Sequence, residues 1–284
     1  MEEVMMSPDL EVMAGPFLLL LALSLILFGV LSCQMYFYWT TYLADSPWMR
    51  NYVLGVWLLE CVHTALWLHA MYIYFARSLI NAGAGLYTIT WSTAAAVLLS
   101  HLIVIITQGF YIYRIWQLSD GCWVITAIPA FLLTAKFGLS LASCQFFFRF
   151  GTWEALRGDQ TAIAVFDSAI SVCVATDLVT TAIFSYYLKQ NRLDFGRTRH
   201  VIDKLLRYTV HTSAVTFVVS ASILITFYAW EHSLAFIGII AVISKVYCTT
   251  MLAMLNARRE IRDKLEEAFM NSIHLSSINI EHLV

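Results

Sequence analysis

The sequence predicts an all-α, polytopic membrane protein with seven transmembrane helices. Hydrophobic residues make up 60% of its 284 residues and charged residues only 13%, whereas soluble domains carry roughly 25% charged residues. The apolar residues also fall into seven long stretches, each about as long as the roughly 20 residues that a helix needs to cross a bilayer. An ordinary soluble fold could not bury that much apolar surface. The lipid bilayer is therefore the expected environment.

The predicted spans follow one another through short connections. The first begins near Pro16, since proline suits a first helical turn, and ends at the aromatic cluster around Tyr38, which is typical of the headgroup level. The second begins at the Asp-Ser-Pro cap of residues 45–47 and extends to about Phe75. The others are predicted at about 88–113, 122–148, 162–188, 206–230 and 233–256.

Three segments result from this division. Residues 1–14 are an external segment, 15–257 the transmembrane domain and 258–284 a cytoplasmic tail. In the tail, Ile261, Leu265 and Phe269 recur every four residues. That spacing predicts a short amphipathic helix on the membrane face, with a plain charged tail as the alternative.

The basic residues predict the orientation. Twelve of the 17 lysines and arginines fall on one side of the predicted spans: Arg50, Arg114, Lys189, Arg192, Arg197, Arg199, Lys204, Arg207, Arg258, Arg259, Arg262 and Lys264. Arg77, Arg149 and Arg157 fall on the other side. The positive-inside rule then predicts an external N-terminus and a cytoplasmic C-terminus. The loop at 189–207 and the tail are the expected sites for a cytoplasmic partner. Nucleic acid is not an expected partner, because the basic residues are divided among separate loops.

Ionisable side chains inside the predicted spans are the candidate functional residues, since such groups cost several kcal/mol in a bilayer unless they are paired or hydrated. The predicted intramembrane polar network consists of Glu60, His63, His101, Lys136, Asp177, His211 and Lys245. We expect Glu60 to pair with Lys245, and Lys136 to contact Asp177 or a polar group on the third span, such as His101. A polar pocket or ion path and a set of structural salt bridges remain open alternatives.

Several segments look like the signature regions of a known family. Residues 175–212 and 243–259 carry the two main regions, and the DSPW of 45–48, the E-x-x-H of 60–63 and the YIYRIW of 111–116 agree with them. The chain thus resembles a fungal family of seven-helix membrane proteins that carries a domain of unknown function. The resemblance implies the architecture and no activity. Glu60 and His211 stand where members often carry Asp and Asn, so a polar group is kept at both positions.

These observations predict an integral membrane protein of unknown biochemical activity, receptor- or sensor-like by architecture. It would lie in the plasma membrane or an endomembrane and could take a small-molecule ligand. The alternative is a small-solute or proton transporter or channel that uses the intramembrane charges. No catalytic residue, metal site or cofactor is predicted.

Two further classes have less support. A retinal protein would use Lys245, but the third predicted span has no acid, Ala241 stands where microbial rhodopsins place an aspartate, and Glu60 is the only obvious counter-ion. A zinc-dependent intramembrane hydrolase would need His101 or His211 to complete a site begun by Glu60 and His63.

The tryptophan of the loop between the fourth and fifth predicted spans is expected at the outer headgroups. Trp153 has Arg149 and Arg157 on either side, and an indole with basic neighbours suits that depth. The alternative is a tryptophan that packs on the ends of its own helices.

Overall fold

The computed structural model describes residues 8–80, 84–194, 215–230 and 233–257. Over these residues the fold is all-α, as predicted, with eight α-helices. They are α1 (Pro8–Thr41), α2 (Pro47–Ile80), α3 (Trp91–Leu118), α4 (Trp123–Arg149), α5 (Trp153–Gly158), α6 (Gln160–Asp194), α7 (Val215–Ala229) and α8 (Ala235–Ala257). A 3-10 helix, Ala84–Tyr87, precedes α3. Six of the helices in these ranges are long and apolar enough to cross a membrane, and α7 is a shorter apolar helix.

Some helices extend beyond the predicted spans. The first begins at Pro8, so Pro16 lies inside it. The second continues past Phe75 to Ile80, and α6 runs to Asp194. Hydropathy indicates where lipid contact ends, and a helix can continue into water beyond that point. The remainder of the basic loop at 195–207, His211 and the tail at 258–284 lie outside the described residues.

The bundle is arranged around α8. In the most apolar stretch of α8, 89% of the residues are buried, whereas the share is 17–50% in the other five long spans. Side-chain hydroxyls of two neighbouring helices donate to its backbone carbonyls: Ser24 Oγ to Ala241 O at 3.0 Å and Ser100 Oγ to Ile240 O at 3.1 Å. These contacts place α8 directly against α1 and α3.

One glycine allows the closest approach between α1 and α8. A Cβ atom at Gly238 would lie 2.8 Å from Cβ of Leu20 and 2.9 Å from its Cδ1. No side chain fits at these distances without displacing the neighbouring helix, so Gly238 sets the separation of the two backbones.

Contacts at both ends give the directions of the helices. Leu234 N donates to Met13 O at 3.2 Å, and Asn256 Nδ2 donates to Gln34 O at 3.0 Å. Therefore α1 and α8 run parallel. Helix α7 runs antiparallel to α6, because Tyr228 donates to Asp167 near the start of α6, while the earlier residue Ser220 lies 3.9 Å from Cys173 (Oγ to Sγ).

The end of the bundle that holds Met13 and Leu234 is closed by its own connections. An isolated antiparallel bridge joins Thr88 to Thr152, and Ile89 N donates to Gly151 O at 2.9 Å. These contacts tie the segment before α3 to the segment after α4.

Trp153 lies inside the protein. Only 5% of its surface is exposed, and its ring packs 6.1 Å from Phe147 and 5.7 Å from Phe236, measured between ring centroids. The indole therefore contacts protein and not headgroups, and its contact with Phe147 agrees with the alternative in which it packs on the end of its own helix. Thr152 caps the short helix α5 by accepting from Ala155 N at 3.3 Å, and this turn directs the indole towards α4 and α8.

Candidate functional site

The first buried polar cluster joins α2 to α8, and we call it the Glu60 cluster: Glu60, His63, Trp67, Lys245 and Cys248. The ammonium nitrogen of Lys245 lies 2.8 Å from Glu60 Oε2, and both side chains are 0% exposed. Cys248 Sγ donates to the other carboxylate oxygen at 3.5 Å. The expected pairing of Glu60 with Lys245 is thus present, as a direct ion pair in the bundle interior.

His63 completes this cluster. Its Nδ1 lies 3.3 Å from Glu60 Oε2 and 2.5 Å from Lys245 Nζ. On the opposite side of the ring, the indole N–H of Trp67 donates to Nε2 at 2.8 Å. Because an indole N–H can only donate, Nε2 is an acceptor and the imidazole is neutral. The proton of the neutral ring is then on Nδ1, which can donate it to Glu60 Oε2, so Lys245 and His63 are two donors to the same carboxylate and not partners of each other.

The second buried cluster joins four helices, and we call it the Asp177 cluster: Gln108 of α3, Lys136 of α4, Asp177 of α6 and Tyr247 of α8. Gln108 donates through Nε2 to Asp177 Oδ1, while its Oε1 accepts from Lys136 Nζ at 2.9 Å. Tyr247 donates its hydroxyl to Asp177 Oδ2. The amide of Gln108 thus bridges the acid and the base, using its donor on one and its acceptor on the other.

A cavity adjoins this second cluster. Its volume is about 50 Å³, and side chains of α3, α4, α6, α7 and α8 line it. Its polar lining includes Ser100, His101, Lys136, Ser143 and Ser220. Lys136 therefore belongs both to the hydrogen-bonded cluster and to the cavity wall.

The predicted network divides between these places. Glu60, His63 and Lys245 meet in the first cluster, Lys136 and Asp177 in the second, and His101 in the cavity wall. His101 Nδ1 bonds to its own helix at Val97 O, 2.7 Å away. His211 lies outside the described residues. The prediction that Lys136 contacts Asp177 or a polar group of the third span is met through Gln108, and His101 is not that partner.

Sequence reasoning missed Gln108, Trp67, Tyr247 and Cys248. Gln108 had a usable signal, because an uncharged amide inside an apolar helix is costly unless it finds a partner. The other three look like ordinary membrane-helix residues in sequence. Only the geometry shows what they contact.

The residues that the structure describes offer no cluster of metal ligands. No group of three or more His, Cys, Asp or Glu side chains is arranged there to hold an ion. His69 is exposed on α2 and packs its ring 5.2 Å from Trp91, away from His63.

The apolar helices and the buried ionic clusters define the class: an all-α membrane protein with charged side chains in its interior. Residues 173–260 match the model of a family of unknown function, DUF6534. The matched range includes both segments that carry the sequence resemblance, 175–212 and 243–259. No curated protein and no solved structure matches the chain.

Proposed function

We propose that the protein is a receptor- or sensor-like membrane protein whose ligand enters the cavity beside Lys136. The observation that carries this proposal is the position of that cavity. It lies among five helices and shares Lys136 with the Asp177 cluster. An occupant that bonds to Lys136 shares the ammonium with Gln108 and so acts on α3, α6 and α8 through the Asp177 cluster.

Seven crossings, with the N-terminus outside and the C-terminus in the cytoplasm, are part of this proposal. The parallel run of α1 and α8 supports an odd number of crossings, and the antiparallel run of α7 on α6 supports α7 as the seventh. The basic residues favour a cytoplasmic position for the end of α6. The protein would lie in the plasma membrane or an endomembrane. A cytoplasmic partner would then bind near the 189–207 loop and the tail.

A cavity-filling substitution provides a test that needs no known ligand. Ala169 of α6 lines the cavity and is 6% exposed, so Ala169→Val mimics an occupant. In nanodiscs, we expect this variant to change amide hydrogen exchange in the last turns of α6, at residues 186–194. Ala164→Val, on an exposed position of the same helix, is the matched control and should leave exchange there unchanged. Equal exchange in both variants would contradict the proposal.

The alternative is transport, and the hydrogen-bonded chain Lys136–Gln108–Asp177–Tyr247 is the observation that favours it. Liposomes containing the purified protein and an internal pH dye separate the two classes. A receptor leaves the proton leak at the level of empty liposomes. A leak that the protein increases and Lys136→Gln abolishes would establish transport instead.

A further inference from the structure

The cavity beside Lys136 has a polar wall whose donors and acceptors can be assigned. His101 Nδ1 faces a carbonyl, Val97 O, which only accepts, so Nδ1 carries the ring proton. A second proton on the ring would place two cations in one small cavity, because Lys136 lines it as well. The neutral ring therefore offers Nε2 as an acceptor.

The serines add more acceptors. Ser100 Oγ donates its proton to Ile240 O at 3.1 Å, and Ser143 Oγ donates to Ser140 O at 2.9 Å. Each hydroxyl has one proton, and both protons are used on backbone carbonyls. The oxygens that remain in the wall can accept a hydrogen bond from an occupant.

Lys136 supplies the donors. Its side chain is 2% exposed, and its ammonium has three N–H groups. Within the described part of the chain its one hydrogen-bond acceptor is Gln108 Oε1, at 2.9 Å, and the Tyr247 ring lies 5.5 Å from the ammonium nitrogen. Leaving buried donors without acceptors is costly, so an occupant that accepts from Lys136 is favoured. The apolar part of the wall includes Val104, Ile170, Ile223 and Ile243, and Ser140 and Ser220 add two further hydroxyls.

We propose that this cavity binds the hydroxyl group of a short alcohol, with the alkyl part against the isoleucines. This inference rests on the proposed function, because it names the class of ligand for the same cavity. A hydroxyl both accepts, from Lys136, and donates, to His101 Nε2 or a serine oxygen. A carboxylate can only accept and would face the acceptor lone pairs, whereas an ammonium can only donate and would face Lys136.

The size of the cavity limits the alkyl chain. Its volume of about 50 Å³ is about a third of the roughly 150 Å³ cavity that holds benzene in a protein core. Ethanol is therefore the appropriate probe, and binding should be weak, because so few atoms make contact. Such small amphiphiles also partition into bilayers, so the test must separate binding in the cavity from ethanol in the lipid.

Three probes of equal heavy-atom count test the donor and acceptor assignment: ethanol, formate and ethylammonium. We would measure saturation-transfer NMR from the full-length protein in nanodiscs to each probe. Ethanol should give a saturable signal that Ala169→Val reduces at least severalfold and Ala164→Val leaves unchanged. Formate and ethylammonium should give none. An equal ethanol signal in both variants would mean that ethanol is only in the bilayer, and a stronger formate signal would mean that the cavity selects anions. Either result overturns the proposal.

A variant that enlarges the cavity tests whether misfolding, and not a filled cavity, explains a lost ethanol signal. Ile223 is 5% exposed and lines the cavity, so Ile223→Ala should shift the preferred probe from ethanol to 1-butanol. An unchanged preference would show that ethanol binds elsewhere and would also overturn the proposal.

The two proposals can fail separately. If ethanol does not bind but Ala169→Val still changes exchange at residues 186–194, the sensor function stands and the alcohol class falls. If ethanol binds and exchange does not respond to it or to Ala169→Val, the binding site stands and the sensor function falls.

Discussion

At the level of single residues, the buried charges of Glu60 and Lys245 stabilise each other. Two charges at 0% exposure have lost their water, and the 2.8 Å contact between them replaces part of that hydration. Breaking such a pair from one side leaves a buried charge uncompensated, whereas removing both partners can be nearly neutral. Loss of one partner is therefore expected to cost more stability than loss of both.

This asymmetry gives the first prediction. Lys245→Met alone should lower the free energy of unfolding by about 3–5 kcal/mol, because Glu60 stays charged and buried. The double change Glu60→Leu with Lys245→Met should cost less than Lys245→Met alone. Thermal and denaturant unfolding in detergent would measure both, with Lys189→Met at an exposed site as the control. Additive losses in the double variant would rule out coupling between the two residues.

The second prediction concerns the amide bridge. Gln108→Leu removes the only described acceptor of Lys136 and one donor to Asp177, so it should destabilise the protein by about 1–3 kcal/mol or more. Gln117→Leu, at an exposed position of the same helix, should change stability by less than about 0.5 kcal/mol. Comparable losses in the two variants would mean that the bridge does not stabilise the bundle.

The charged members of both clusters could be predicted from the sequence, and their neutral partners could not. A charge inside an apolar span is costly wherever it points, so Glu60, Lys136, Asp177 and Lys245 are informative without coordinates. A tyrosine or tryptophan in a span is ordinary at many positions. Whether Tyr247 contacts Asp177 or Trp67 contacts His63 depends on how the helices rotate and cross, and no pattern in the chain specifies that.

At the level of whole helices, the central position of α8 was also beyond prediction. Its mean hydropathy of 1.8 equals that of α6 and nearly matches the 1.7 of α4. In the most apolar stretch of each helix, however, 89% of the residues are buried in α8, 28% in α6 and 17% in α4. Lipid tails and a protein interior are both apolar, so a helix that faces either has the same composition. Small residues such as Gly238 and Ala241 distinguish α8 only after its neighbours are known.

The third prediction tests the close packing of α8 on α1. Gly238→Ala places a Cβ 2.8 Å from Leu20, and overpacking of this kind costs about 1–3 kcal/mol. Gly138→Ala on α4 meets no atom within 4 Å and should be neutral or slightly stabilising, since alanine favours a helix. Unfolding in detergent would compare the two. A Gly238→Ala protein as stable as Gly138→Ala would mean that the helices can separate without cost.

At the level of the whole molecule, the fourth prediction is the orientation in the membrane. A membrane-impermeant maleimide should label Gly196→Cys only after cells are permeabilised, because the basic segment that contains it is expected in the cytoplasm. Gly151→Cys, at an exposed site beside the bridge to Thr88, should react on intact cells. The native chain, with its six cysteines, provides the background. The reverse labelling pattern would invert the proposed orientation.

The enclosure of α8 also constrains the order of assembly. A ribosome makes this helix after α1 to α7, so the helices that surround it enter the membrane before it exists. Until then Glu60 and Asp177 lack the lysine and the tyrosine that α8 brings to them. The earlier helices must remain loosely associated, or be held apart by the insertion machinery, until α8 arrives. The bundle therefore closes late, around the helix that is synthesised last of the eight.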